Sequence, residues 1–137
     1  ANNISSKLDN KIKLIKGALR LAQGDTKSLM EVAREIETAN YDIRMALNGD
    51  NTRQKRNAAV PKSINARLGA IVYEIWKTTS APTATHKESY RIAGEAFEQQ
   101  LAKLKKLVEQ DIPELEKALE KVGAPYTPGR LPDWEMK

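Results

Sequence analysis

The sequence has 137 residues, no cysteine, one histidine and a net charge of +5 from 23 basic and 18 acidic residues. Its length fits one domain, and the absence of cysteine excludes disulfides, thiolate metal sites and cysteine nucleophiles. A single histidine excludes any site that requires two imidazoles, including the paired Glu-x-x-His sequences of di-iron bundles. No apolar run approaches the ~20 residues that span a bilayer.

Two amphipathic helices are predicted for the first third of the chain. Apolar residues recur at spacings of three and four in two stretches, which predicts helices over about residues 3–23 and 26–47. Gly24 and Gly49 follow these stretches, and glycine adopts the left-handed backbone angles of a helix C-cap at little cost. The short link between the helices predicts an antiparallel hairpin.

A polar stretch without periodicity comes next, and it predicts a mobile loop over residues 48–60. Pro61 fits the first turn of a third helix, where a backbone N–H is not needed. That helix is predicted over about residues 61–78, and Tyr73 and Trp76 follow its apolar stripe. Core packing, or the edge of an interface, explains both aromatic residues.

The fourth helix is the longest predicted element. Thr85 and Glu88 match a capping box. Apolar residues continue in phase from there to Gly123 and predict a helix over about residues 85–122, with a core stripe of Tyr90, Ala93, Phe97, Leu101, Leu104, Val108, Ile112, Leu115, Leu119 and Val122. At 1.5 Å per residue this helix is ~57 Å long. Pro113 removes a backbone donor and directs its ring at the carbonyl group four residues earlier. A kink is therefore expected there, with a complete break as the alternative.

Residues 124–137 form a tail with three prolines and the large apolar residues Tyr126, Leu131 and Trp134. A disordered tail rarely contains such side chains, so we expect it to be extended and to dock on the bundle or on a partner. Four amphipathic helices within residues 1–123, joined by short, long and short connections, predict an all-α fold, an antiparallel up-down four-helix bundle.

Three glycines lie inside predicted helices, where each costs about 1 kcal/mol relative to alanine. They are Gly17, Gly69 and Gly94. We interpret them as points where helix backbones approach one another closely.

The residues that could take part in catalysis are better explained by structural roles. His86 lies in the first turn of the fourth helix, and Glu88, the nearest carboxylate, is assigned to the capping box; a general base needs a nucleophile and an orienting group beside it. Most carboxylates fall off the apolar stripes, and the sequence contains no Gly-rich phosphate loop, Gly-x-Ser-x-Gly elbow or haem attachment motif. We predict no catalytic residue, no metal ligand and no cofactor.

Positive charge is concentrated in two segments. Residues 1–24 hold five basic residues and one acidic residue, and residues 50–62 hold four and one. These segments could attract phosphate groups, but they lack interleaved aromatic residues and any nucleic-acid-binding signature. A solvated basic face, or a face that docks on an acidic partner domain, is the preferred interpretation.

Two pairs of sequence blocks carry a family resemblance. One pair is PKSINARL (residues 61–68) with WKTTSAPTAT (residues 76–85), and the other is YRIAGEAF (residues 90–97) with GAPYTPGRLPDW (residues 123–134). Together they resemble the C-terminal helical region of large bacterial β-propeller proteins with BNR/Asp-box, sortilin-like repeats, which are often labelled glycosyl hydrolase-like. The resemblance covers about residues 58–134.

The resemblance implies a propeller of several hundred residues upstream and an exported parent protein, periplasmic, cell-surface or secreted. It supplies no catalytic residue, because the Ser-x-Asp-x-Gly-x-x-Trp box is absent from this sequence. The first residue, Ala1, is not a methionine, and this agrees with the expectation that the chain is a processed product or a piece of a larger protein.

The sequence thus predicts a non-catalytic accessory domain that packs on its own upstream propeller or on another protein. Arg130 could pair with a carboxylate through two parallel hydrogen bonds. The residues expected to make the contact are Trp76, Thr79, Ser80, Pro82, Thr83, Tyr126, Arg130, Leu131 and Trp134.

Three alternatives stay open at this point. The same segments could close the bundle's own core. The chain could be a stand-alone adaptor that binds a protein or nucleic acid through the basic first helix and the loop over residues 50–62. It could also be a catalytic bundle, which would require carboxylates that converge on an interior pocket.

Overall fold

A computed structural model describes residues 1–50, 61–78 and 81–128, and the chain is all-α, with no strand in these ranges. This confirms the predicted fold class. Most of the predicted loop over residues 48–60 and the end of the tail lie outside the described residues. The helical elements are α1 (Asn2–Leu21), α2 (Lys27–Asn48), α3 (Ile64–Thr78), α4 (Ala84–Lys106), a π-helical segment (Leu107–Asp111) and α5 (Ile112–Lys121).

The chain divides into two compact units. Unit 1 contains Ala1, Asn3–Asn40 and the chain from Lys105 onward, and unit 2 contains Asn2 and Tyr41–Leu104. Most of α1, the larger part of α2, the π-helical segment and α5 therefore belong to unit 1. The end of α2, α3 and nearly all of α4 belong to unit 2.

The core of unit 1 forms from the apolar stripes of its helices, whose burial supplies most of the stabilising free energy. Ser5 hydrogen-bonds to Asn40, and Lys16 to Glu37. The later residue of α1, Lys16, thus pairs with the earlier residue of α2, Glu37. The two helices are therefore antiparallel, as predicted. The buried apolar residues include Leu8, Ile12, Ile15, Leu19, Ala33, Ile36, Leu107, Ile112, Leu115 and Leu119.

The last helix is interrupted by a π-helical segment just before Pro113, where the sequence predicted a kink. Pro113 cannot donate to the carbonyl group of Glu109, and the N–H of Ile112 instead reaches back five residues to the carbonyl group of Leu107. This wider turn places Leu107 and Ile112 on one face, so both are buried while Val108 is exposed. The predicted stripe is therefore wrong at Val108, because Leu107 is the residue that is buried at this point of the helix.

Glycine plays different roles from those predicted at several positions. A Cβ atom added to Gly17, Gly69 or Gly94 would meet nothing within 4 Å, so these residues do not mark close backbone approaches. The close approach is at Gly24 instead, where an added Cβ would lie 3.3 Å from Val122 Cβ. Gly24 is not in the left-handed conformation, because the positive φ angles belong to Gly49 and Gly123.

Gly123 ends α5 in a Schellman motif. Its φ angle is +66°, its N–H donates to the carbonyl group of Glu120, and the N–H of Ala124 donates to the carbonyl group of Leu119. Leu119 and Ala124 are both buried, which is the hydrophobic contact that accompanies this motif.

Unit 2 has a smaller set of buried apolar side chains. In α3 only Ile64 among the described core residues is buried, and in α4 Ala93 and Leu104 are. Helix α3 begins at Ile64 and not at Pro61, because Ser63 caps it: the Ser63 hydroxyl accepts the N–H of Ala66 at 3.2 Å. The prediction that Pro61 lies in the first turn is therefore wrong by three residues.

Candidate functional site

The most exposed large apolar side chain among the described residues is Trp76, in the last turn of α3, with an exposed fraction of 86%. Tyr73 lies one turn earlier and is 64% exposed. The sequence allowed core packing or an interface edge for these two side chains, and the structure excludes core packing within the described chain. An exposed tryptophan of this size is a typical centre of a protein–protein contact.

Two further residues of α3 share this face. Gly69, Val72, Tyr73 and Trp76 follow the spacing i, i+3, i+4, i+7 and are all exposed. We call these four residues the α3 aromatic face. The ammonium group of Lys77 lies 5.8 Å from the centre of the Tyr73 ring, which is a cation–π arrangement.

Gly69, Val72 and Tyr73 are not among the predicted contact residues, although the sequence contains the signal for this face. The stripe of Ile64, Leu68, Ile71 and Ile75 already supplies an inward face for α3. The additional apolar residues make the helix apolar over more than one face, and a helix with one core-facing side leaves such a second face exposed.

Helix α4 also exposes aromatic side chains that the sequence placed in the core stripe. Tyr90 is 66% exposed and Phe97 is 38% exposed. The buried residues of this helix, Ala93 and Leu104, belong to the same predicted stripe and are confirmed as core residues. The prediction that Tyr90 and Phe97 are core residues is wrong.

The other predicted contact residues are distributed as follows. Pro82 and Thr83 are exposed and directly precede α4 in unit 2, the unit that also contains Trp76. Tyr126 is exposed and belongs to unit 1. Thr79, Ser80, Arg130, Leu131 and Trp134 lie outside the described residues.

His86 completes a cap at the start of α4. The hydroxyl of Thr83 accepts the N–H of His86 at 3.2 Å, and the N–H of Thr83 donates to His86 Nδ1 at 3.3 Å. This is the reciprocal geometry of a capping box, with an imidazole nitrogen in place of the usual carboxylate. His86 Nε2 lies 2.6 Å from Glu74 Oε2 of α3. Both ring nitrogens are therefore engaged in structural hydrogen bonds.

The predicted Thr85–Glu88 capping box is wrong because α4 begins at Ala84, one residue before Thr85. Glu88 is instead held by Arg91, whose Nε and Nη2 atoms lie 2.9 and 2.6 Å from the two Glu88 oxygens, and Arg91 also pairs with Glu95. The hydrogen bonds from Arg91 hold the pKa of Glu88 below its usual range. The two carboxylates in turn raise the pKa of Arg91.

Part of the basic charge of α1 is used within unit 1. Lys11 Nζ lies 2.9 Å from Glu116 Oε1, and Lys16 Nζ lies 2.8 Å from Glu37 Oε2. Paired ammonium groups attract phosphates less strongly, which weakens the adaptor alternative for this helix. In the second basic segment Lys62 is exposed, and residues 51–60 lie outside the described residues.

No group of three or more His, Asp or Glu side chains that could hold a metal ion occurs in the described ranges. An open depression of about 410 Å³ lies at the start of α2, lined by Gly24, Asp25, Lys27, Met30 and Arg34 among others. Asp25 there caps α2 by accepting the N–H of Lys27. Among the residues searched, no helix combines the length and apolar character needed to cross a bilayer.

Searches against protein-family models, curated proteins and solved structures find no match for this chain. The family resemblance therefore rests on the two pairs of sequence blocks alone.

Proposed function

We propose that this chain is a non-catalytic accessory domain at the C-terminus of an exported β-propeller protein, where it packs on the propeller or on another protein. The observation that carries the proposal is the exposure of Trp76, 86%, together with the rest of the α3 aromatic face. The propeller, the export and the terminal position come from the sequence resemblance.

Exposed aromatic side chains support a contact role because a soluble domain gains nothing by leaving them in water. Tryptophan and tyrosine dominate the binding energy of protein interfaces, where they bury 150–250 Å² each. Contiguous apolar patches of a few hundred Å² on a folded domain are typical of interaction sites. In this chain Trp76 and Tyr73 lie one turn apart on one helix, so a partner can desolvate both at once.

Pro82 and Thr83, which are exposed, extend the proposed contact of unit 2 beyond α3. Tyr126, which is exposed on unit 1, is proposed as a contact residue of that unit. The Thr83 hydroxyl already caps α4, so its methyl group and the ring of Pro82 are the parts offered to a partner. From the resemblance we add Thr79, Ser80, Arg130, Leu131 and Trp134, with Arg130 as the residue that would bind a carboxylate.

A non-catalytic role is also supported by the way the titratable groups are used. Both nitrogens of His86 hold the start of α4 and its link to Glu74. Glu88 and Glu95 are paired with Arg91 on an exposed helix face. General acid–base chemistry needs a group within reach of a substrate proton, and these groups already have structural partners.

The first test is the reading frame upstream of Ala1 in the native gene. We expect an in-frame sequence that encodes a propeller. A start codon close to Ala1, with no propeller-coding sequence before it, would show that the proposal is wrong.

The second test measures binding between the separately expressed upstream region and this chain by calorimetry. Trp76→Ala should weaken binding at least tenfold, as expected when an interface anchor is truncated. The matched control is Tyr41→Ala, which removes an exposed aromatic side chain of α2, and it should leave affinity unchanged. Equal effects of both variants, or no binding by the unmodified chain, would contradict the proposal. Titration with DNA or RNA at low salt tests the adaptor alternative.

A further inference from the structure

The α3 aromatic face has a size pattern along the helix that is informative about its partner. Side-chain size increases along the helix, from none to the largest, in the order Gly69, Val72, Tyr73 and Trp76. An added Cβ at Gly69 would meet nothing within 4 Å, so the space above Gly69 is open. The exposed fractions of Val72, Tyr73 and Trp76 are 59, 64 and 86%.

This pattern is complementary to itself in the reverse direction. Two copies of α3 can pack antiparallel about a two-fold axis that passes between positions 72 and 73. In this register, residue i of one copy lies opposite residue 145 − i of the other. Trp76 then faces Gly69 of the second copy, and Val72 faces Tyr73. A two-fold interface pairs one patch with itself in this way, and a glycine allows the close approach that a facing tryptophan requires.

We propose that the α3 aromatic face binds a second copy of this chain as an antiparallel helix pair. The inference rests on the proposed function in one respect, that α3 is an interaction surface, and it names the partner of that surface. A propeller or another protein that binds through Trp76 would compete with the second copy for this face.

The charged residues of α3 agree with a second copy as the partner. The α3 aromatic face itself contains no charged residue, and in the same register Arg67, Glu74 and Lys77 lie level along the helix with positions 78, 71 and 68 of the second copy, which are uncharged. Every charged position is therefore opposite an uncharged one. Like charges that face each other would oppose association, and this register contains none in α3.

The available area indicates a weak association. From the exposed fractions and the usual areas of aromatic side chains, the face offers roughly 400 Å² per copy, or roughly 800 Å² in total. Stable complexes bury more than about 1,200 Å² in total. We therefore expect a reversible dimer that forms at concentrations on the order of 0.1–1 mM.

Sedimentation velocity of the full chain tests this directly. The mass should rise from 15.3 kDa toward twice that value as the concentration increases from about 10 μM to about 1 mM. Gly69→Met fills the space that Trp76 of the second copy would occupy, and it should weaken the dimer at least tenfold. The matched control is Gly94→Met in α4, where an added side chain also meets open space; it should dimerise like the unmodified chain.

The backbone amide signals of the two glycines locate the contact in the same samples. The Gly69 amide should shift with concentration in NMR spectra, whereas the Gly94 amide should not. A chain that stays monomeric up to about 1 mM, or a dimer unaffected by Gly69→Met, would overturn the inference. If the chain stays monomeric and Trp76→Ala still weakens binding to the upstream region, the second copy is the wrong partner while the proposed accessory function stands. If the chain dimerises but does not bind the upstream region, the second copy is the right partner and the proposed accessory function is wrong.

Discussion

Asn40 and Ser5 exchange two hydrogen bonds in the interior of unit 1. The Ser5 hydroxyl donates to Asn40 Oδ1 at 2.7 Å, and Asn40 Nδ2 donates to the Ser5 carbonyl oxygen at 2.9 Å. Asn40 Nδ2 also donates to Asp9 Oδ1 at 2.6 Å. Both Ser5 and Asn40 are fully buried. A satisfied polar group of this kind fixes the register of α1 on α2, because any sliding would leave buried donors and acceptors unpaired.

Replacement of Asn40 should therefore be costly. Asn40→Ala should lower the free energy of unfolding by about 2–4 kcal/mol, since it leaves buried partners without hydrogen bonds. Urea denaturation measures the change. The control is Asn48→Ala, which removes exposed hydrogen bonds to Asn2 and Asn65 and should cost less than about 1 kcal/mol. Equal losses for the two variants would show that the buried network has no special weight.

The tautomer of His86 is fixed by its two hydrogen bonds. Since Nδ1 accepts the N–H of Thr83, the proton of the neutral ring must be on Nε2, where it faces the Glu74 carboxylate. Long-range ¹H–¹⁵N NMR spectra of the neutral ring should show the Nε2-protonated form. Glu74→Ala should reduce this preference. A ring protonated on Nδ1 would be incompatible with the cap described above.

The ion pair between Lys11 and Glu116 should contribute more to stability than the one between Lys16 and Glu37. The Glu116 side chain is 14% exposed, whereas that of Glu37 is 41% exposed. Lys11→Met should cost about 1–3 kcal/mol in the free energy of unfolding, because a largely buried carboxylate loses its counter-charge. Lys16→Met is the matched control and should cost less than about 1 kcal/mol. The prediction fails if the order is reversed, or if Glu116→Gln does not reduce the cost of Lys11→Met.

Two of the internal glycines should be replaceable with a gain in stability. Gly17→Ala and Gly94→Ala meet no neighbouring atom within 4 Å, and each should raise the free energy of unfolding by about 0.5–1 kcal/mol through better helix propensity. Gly123→Ala should instead lower it by about 1 kcal/mol, because the φ angle of Gly123 is +66°. Thermal and urea unfolding distinguish the two signs. A loss at Gly17 or Gly94 would mean that another part of the chain occupies the space.

Arg91 should control the titration of Glu88. The hydrogen bonds from Arg91 hold the pKa of Glu88 below its usual range, so Arg91→Gln should raise that pKa toward the ordinary value of a glutamate. Because the folded pKa is the lower one, the contribution of Glu88 to stability is present above its unfolded pKa and is lost as the pH falls through the folded pKa. A ¹³C NMR titration of the Glu88 carboxyl carbon measures the shift, with Lys87→Gln as a charge-matched control that should not move it.

The sequence by itself determined the helices, because the spacing of apolar residues and the residues at helix ends are local properties. Gly49, Gly123 and the interruption before Pro113 were all predicted on such grounds. Helix boundaries shift by one or two residues where the sequence offers several caps. At the start of α4, Thr83 and Thr85 each have a plausible capping partner three residues later.

Only the tertiary structure decided which apolar residues are buried. Helices α3 and α4 carry more apolar positions than one buried face can hold, and periodicity cannot select between adjacent faces. Tyr90 was therefore predicted in the core, and Trp76 either in the core or at an interface, although both are exposed. The π-helical segment likewise determines that Leu107 is buried and Val108 exposed, the reverse of the prediction from spacing. Burial depends on which neighbouring helix covers a face, and that neighbour is distant in the sequence. The exposed α3 aromatic face, and with it the candidate site, is therefore a property of the fold that the spacing of residues alone does not determine.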